Sequence, residues 1–233
     1  MARSAFNRGP SRAKPNKKWI SLTNQAYREL EEMIVTLRLE PSTVLSETAL
    51  AERLEIGRTP IREALQRLAR EGLVVILPRK GILVSEINPK KQLLLLEVRR
   101  EIERLLARTG ALRRSKQERQ QFIKIADGME KAARENDDIS FMRYDNALNS
   151  LIAVAGRNEY ADRAIGLIHG LSRRFWYVHY KEAADMPLAA RLHANLARRI
   201  SDGDSVGAAE ACDRLIDYVE TFTRATVEID HQT

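Results

Sequence analysis

Residues 46–70, SETALAERLEIGRTPIREALQRLAR, place two short amphipathic stretches on either side of Ile56-Gly57. Leu50, Ala51 and Leu54 form the apolar side of the first, and Ile61, Ala64, Leu65 and Leu68 that of the second. A glycine between them lets the chain turn sharply. The spacing predicts a helix-turn-helix, in which the first helix braces and the second leads with Arg58, Thr59 and Arg62. Such a unit points to reading duplex DNA rather than to catalysis.

The flanks complete a small domain. Upstream, Leu22, Ala26, Leu30, Met33, Ile34 and Leu37 recur at helical spacing, with Ser21 or Thr23 near the cap and Glu40-Pro41 as the stop. Ser46 is the expected N-cap of the next helix. Thr59 is expected to cap the third, with Pro60 at its first position and Gly72 just past its end. Residues 73–77 and 82–84 read as strands joined by the turn Pro78-Arg79-Lys80-Gly81. A hairpin directly after a helix-turn-helix makes a winged helix, and its basic turn is the wing tip. Asn88-Pro89 marks the boundary.

Beyond it the pattern is helical throughout. Helices are predicted over 91–113, 116–135, 139–155, 159–181, 188–201 and 205–228, with Gly166 or Gly170 as places where the fourth can break. In the first, Leu94, Leu95, Val98, Ile102, Leu105 and Leu106 are expected to face the core, continued by Thr109 and Leu112. The fold class is mainly α: an N-terminal winged helix-turn-helix with a small β-hairpin wing, then an antiparallel six-helix bundle. The expected domains are a basic disordered arm over 1–20, the DNA-binding domain over 21–88, and an effector-binding and dimerisation domain over 89–230.

Charge sharpens this division. Lys and Arg number 39 against 32 Asp and Glu, and the surplus of seven lies wholly within residues 1–28, which hold no acid. Such an arm can lie along phosphates, where counterion release favours cationic segments. Gly9, Pro10 and Pro15 argue against structure in the arm alone. The single cysteine, Cys212, excludes an internal disulfide and fits a reducing compartment. No apolar run approaches the roughly 18 residues of a membrane span. The start lacks the apolar stretch of a secretory signal, so a cytoplasmic protein with no membrane partner is expected.

The run ETALAERLEIGRTPIREALQRLAREGLVVILPRKGILV resembles the GntR family of bacterial transcription regulators, through GRTPIREAL, the EGLV stretch and the PRKG turn. The helical remainder resembles the FadR subfamily's ligand-binding domain in its six-helix, VanR-like form. EVRREIE at 97–103, YDNAL at 144–148, AGRN at 155–158 and LHANLARRISDGD at 192–204 carry that likeness. The resemblance implies DNA contacts at Thr48, Arg58, Thr59 and Arg62, and at the wing through Gly81 with Arg79 and Lys80. The residue chemistry agrees: an arginine at the leading end of a recognition helix can donate two parallel hydrogen bonds to O6 and N7 of a guanine. Arg67 and Arg70, further along that helix, read as a solvated face.

The resemblance also implies a divalent metal held by an aspartate, a histidine one turn on, and one histidine from each of two later helices. Those positions here hold Asp145, Asn149, His193 and Leu215, so two ligands are missing and no metal or other cofactor is expected. Arg99 sits where the subfamily often has an arginine that meets a carboxylate, and a guanidinium grips a carboxylate with two bonds. Polar groups on buried faces need partners. Arg99, Asp145, Asn149 and His193 are therefore expected to line a metal-free pocket for an organic acid. Arg173, Arg174, Phe175, Trp176, Tyr177, His179 and Tyr180 form an aromatic and basic cluster that suits either a ligand wall or ordinary core.

These readings converge on a homodimeric transcription regulator, a repressor, that binds a palindromic operator in double-stranded DNA and lets go when a small carboxylate occupies the helical domain. The alternative is a metal-responsive regulator of the same architecture using Asp145 and His193. An enzyme is not expected, since there is neither a nucleophile–base signature nor a Gly-rich phosphate loop after a strand.

Overall fold

The structure is a computed structural model that describes residues 21–79, 81–183 and 185–230. The basic arm and Lys80 lie outside the described residues. Helix α1 (Leu22–Val35) starts on Ser21, whose hydroxyl accepts from the Asn24 amide. It ends well before Pro41, because Thr36 donates its hydroxyl to the Glu32 carbonyl and Leu37 turns left-handed (φ 58°). Helix α2 (Glu47–Leu54) is capped by Ser46 and closes on Glu55, also left-handed. Helix α3 (Arg58–Arg70) starts from Gly57, with no side-chain cap. Thr59 thus lies within the first turn and caps nothing, contrary to expectation. Pro60 is tolerated there because first-turn amides have no intrahelical acceptor to lose.

Three short strands, β1 (Val44–Leu45), β2 (Val74–Leu77) and β3 (Gly81–Val84), form an antiparallel sheet in the order β1-β3-β2. Leu77 pairs with Gly81 across the wing turn, where Arg79 and Gly81 both have positive φ, 64° and 104°. β1 escaped the sequence reading because two residues cannot show an alternation. Leu30 and Ile34 of α1 meet Ile61, Leu65 and Leu68 of α3 in a fully buried core. Beside it, the Arg67 guanidinium lies 3.6 Å above the Tyr27 ring and reaches Glu71 (3.0 Å), to which the Tyr27 hydroxyl also donates (2.8 Å). Arg67, with its side chain 44% exposed, is therefore both partly solvated and a clasp between α1 and α3.

Asn88 caps α4 (Pro89–Arg113), the first helix of the body. It is followed by α5 (Lys116–Arg134), α6 (Asp138–Gly156), α7 (Glu159–Gly166), α8 (His169–Ala183), α9 (Met186–Asp202) and α10 (Ser205–Asp230). The helix predicted over 159–181 breaks at residues 167–168 into α7 and α8, next to Gly166, so the six predicted segments become seven. α10 packs along α4, α9 along α5, and α6 closes the other side of α4. Phe122, Phe141, Leu148 and Ile216 lie in this second core.

The inward face of α4 matches the predicted one only in part. The predicted Leu106 and Thr109 are buried, and Ile102 and Leu105 pack against the core, but Leu94, Val98 and Leu112 are more than half exposed, while Gln92, Leu96, Arg99 and Glu103 are buried. Apolar periodicity misplaced part of the face because the core side of α4 carries polar residues that are satisfied by one another.

Candidate nucleic-acid interface and internal cavity

The leading turn of α3 stands clear of the rest of the chain. Thr48 of α2 and Arg58, Thr59 and Arg62 of α3 are all exposed, as are Arg79 and Gly81 on the wing. Arg58 and Arg62 lie one turn apart. No hydrogen bond or ion pair holds Arg58 among the described residues. Arg62 is aimed by Glu47 of α2, whose carboxylate accepts from Nη2 (2.8 Å) and Nε (3.1 Å). The bond from Arg62 holds the Glu47 carboxyl below its ordinary range. Sequence reasoning missed this partner, and Glu63 instead accepts a hydrogen bond from Thr23 (2.6 Å). The helix-turn-helix therefore delivers one unattached guanidinium and one pre-aimed one at the end of a helix, the arrangement that base edges in a major groove can meet.

The second site lies within the body. Arg99, Phe141, Asp145, Arg173, Trp176 and His193 are among the residues that line a cavity, with room for water centres over only about 30 Å³. Phe141 and Trp176 form an aromatic wall, ring centroids 5.1 Å apart, and His193 meets Phe141 edge-on. Of the other three predicted pocket residues, Asn149 and His193 meet Asp145, and Asn149, unlike Arg99, Asp145 and His193, does not line the cavity. Asn149 donates Nδ2 to the Asp145 carboxylate (3.3 Å), and His193 places Nε2 3.2 Å from Oδ1 while Nδ1 meets the Ala189 carbonyl (2.7 Å). Burial opposes ionisation of Asp145, but His193, Arg173 and Arg99 outweigh it and hold the carboxyl well below the usual range.

Arg99 is also on the cavity, and two of its three guanidinium nitrogens are engaged. It donates to Glu103 (2.6 Å) and to the Ser172 hydroxyl (2.8 Å), and Glu103 is gripped again by His169 (2.7 Å). The residue that sequence reasoning left undecided is Arg173. It donates Nε to Asp145 Oδ2 (3.0 Å), Nη2 to the Met142 carbonyl (3.0 Å) and Nη1 to Glu31 of α1. Its place in the 173–180 cluster was the available signal, but helical spacing alone cannot say which member turns inward.

These residues do not fit a divalent metal. One Asp145 oxygen is taken by a guanidinium, Asn149 turns its amide N–H groups toward the carboxylate, and Leu215 is apolar and buried. A fixed cation already stands where a metal would have to compete for the carboxylate.

Comparison with known proteins agrees with this architecture. The pattern of the bacterial regulatory proteins, gntR family, matches residues 22–84, and that of the FCD domain matches residues 94–218. Over 187 residues the chain is 26% identical to the HTH-type transcriptional repressor RspR of Escherichia coli (strain K12), covering 79% of this chain and 82% of that one. A 65-residue stretch, 28% of either chain, is 45% identical to an HTH-type transcriptional regulator of Streptomyces ambofaciens. Among solved structures, E. coli McbR/YncC has the same fold, with a TM-score of 0.76 at 17% identity over 90% of this chain and 100% of that one. With both domains matched across most of its length, the chain belongs to the GntR family of bacterial transcription regulators, with a C-terminal FCD domain, and not to a class of enzymes.

Proposed function

We propose that the protein is a homodimeric, cytoplasmic repressor that reads a short palindrome and is released by a small organic acid in the helical domain. The observation that carries the DNA reading is the exposed leading turn of α3, with Arg58 and Arg62 one turn apart and Thr48 and the wing beside them. Arg62 and Arg58 read base edges, Thr48 and Thr59 meet phosphate or base, and Arg79, Lys80 and Gly81 meet the backbone or minor groove. The basic arm adds phosphate contacts.

A two-fold pair of heads suits a palindrome. Supporting a second copy is the outer face of α4, where Leu94, Val98 and Leu112 are exposed and share a stripe with Glu101 and Arg108. In an antiparallel pair of such helices the acid of one copy can meet the base of the other.

In the body, Asp145 and His193 line the cavity with Arg99, and Asn149, which is not on the lining, donates to Asp145. The cavity has room for water centres over only about 30 Å³, and a ligand that needs more space would stabilise a wider form. That is a population shift, which can alter the spacing of the two heads and lower operator affinity. The experiment is a gel shift with an operator selected from random duplexes. Arg62→Ala is expected to weaken binding by about tenfold or more and to relax preference at one base pair. Wild-type affinity in that variant would defeat the assignment of α3 as the reading helix.

A further inference from the structure

Helix α8 has two jobs in the fold. Ser172 and Trp176 face the cavity of the body. Gly170 and Arg174 face the winged helix. A Cβ on Gly170 would stand 2.8 Å from Leu73 Cδ1, and Arg174 donates Nη1 to the Ser85 carbonyl (2.9 Å). Arg173 forms ion pairs on both sides. Its side chain is 6% exposed, and its ion pairs run to Asp145 on the cavity wall and to Glu31, 5% exposed, in the DNA-binding domain.

The two guanidiniums on the cavity therefore differ. Arg99 uses Nε on Glu103 and Nη1 on Ser172, and both of these partners lie within the body. The Nε and Nη2 donors of Arg173 form one edge of its fork, and they end on two separate acceptors, Asp145 and the Met142 carbonyl. One incoming carboxylate can replace both with a single bidentate grip. Asp145 would keep His193 and Asn149 as partners. Glu31 has less to fall back on. Burial pushes its carboxyl up, Arg173 is the cation that opposes this, and Glu71, Asp145 and Glu32 all add negative charge.

We propose that Arg173, not Arg99, is the anion-gripping residue of the cavity, and that a carboxylate bound to it weakens the Arg173–Glu31 tie and so loosens the winged helix from the body. A guanidinium then takes the position of the metal cation that the family resemblance implies. This rests on the reading of the helical domain as an organic-acid sensor.

Trp176 on the cavity wall supplies the readout. In a Trp19→Phe background it is the single tryptophan, since the chain has 2. Sodium acetate and sodium benzoate are titrated against sodium chloride at equal ionic strength, with operator affinity measured in parallel. A saturable change in Trp176 emission with at least one carboxylate is expected, unaffected by prior chelation. Arg173→Met should weaken it by about tenfold or more, and Arg99→Met by no more than a few-fold. Arg173→Lys, which keeps the charge in case the methionine variant fails to fold, should also weaken it by loss of the fork. Glu31→Gln should still bind the carboxylate, while its operator affinity no longer responds.

No saturable response to either salt, an unchanged titration in a folded Arg173 variant, a larger loss with Arg99→Met, or a response abolished by chelation and restored by zinc would each overturn the proposal. If the wild type bound no duplex, the DNA reading would fail while the emission titration still judged Arg173.

Discussion

At the residue scale, the buried pair Arg99–Glu103 has a measurable pH signature. Burial pushes the Glu103 carboxyl up, but Arg99 and His169 outweigh it and bring the value down to about 2 from an ordinary 4.5. A carboxyl lowered by folding stabilises the folded state at pH above the unfolded value, and this is lost as pH falls through the folded one. The melting temperature should therefore drop between about pH 4.5 and 2. Glu103→Gln should flatten that slope and cost about 3–5 kcal/mol near neutrality, because Arg99 is left buried opposite a neutral amide. Melting curves across pH for both proteins check this, and an unchanged slope in the variant would assign the acid lability elsewhere. The same pair explains why the face of α4 was misread in part: two charged residues at core positions look like a solvent face until their partners are known.

At the element scale, α3 is held by Leu65 and by the Arg67 clasp on Tyr27 and Glu71. Leu65→Ala, at a position with no exposure, should destabilise the winged helix by about 2–5 kcal/mol in chemical unfolding. α8 offers a sharper test of how the two domains meet. Gly170→Val should cost about 1–3 kcal/mol by overpacking Leu73, and adding Leu73→Ala should recover part of it. Strictly additive losses would mean that α8 and Leu73 are not in contact in solution. Element by element, the winged helix was the more legible part. Ser46, Gly57 and the wing turn are local signals, and local signals survive in sequence. β1 and the exact start of α3 were not, since a two-residue strand and a first-turn proline leave no unambiguous mark.

At the scale of the whole molecule, no described helix is long and apolar enough to cross a membrane. Sedimentation should find a dimer whose dissociation is favoured by Val98→Glu on the exposed stripe of α4, with no loss of helix content. A monomeric wild type at micromolar concentration would remove the two-fold reading of a palindrome. Deleting residues 1–18 removes Arg3, Arg8, Arg12, Lys14, Lys17 and Lys18, and should shallow the dependence of operator affinity on salt. An unchanged slope would mean that the arm touches no phosphate.

From its residues alone the chain declared a DNA-reading head, a helical body, a basic arm and a set of polar residues on buried faces. Periodicity, caps and turns are local properties, and spacing along the chain suffices to express them. What required the tertiary structure were the partners. Glu47 aims Arg62, Ser172 and His169 of α8 complete the Arg99–Glu103 pair, and Arg173 joins Asp145 to Glu31, which lies 142 residues before Arg173 in the chain. An ion pair between distant segments depends on how helices are brought together, and no short window of sequence holds Arg173 with either Asp145 or Glu31.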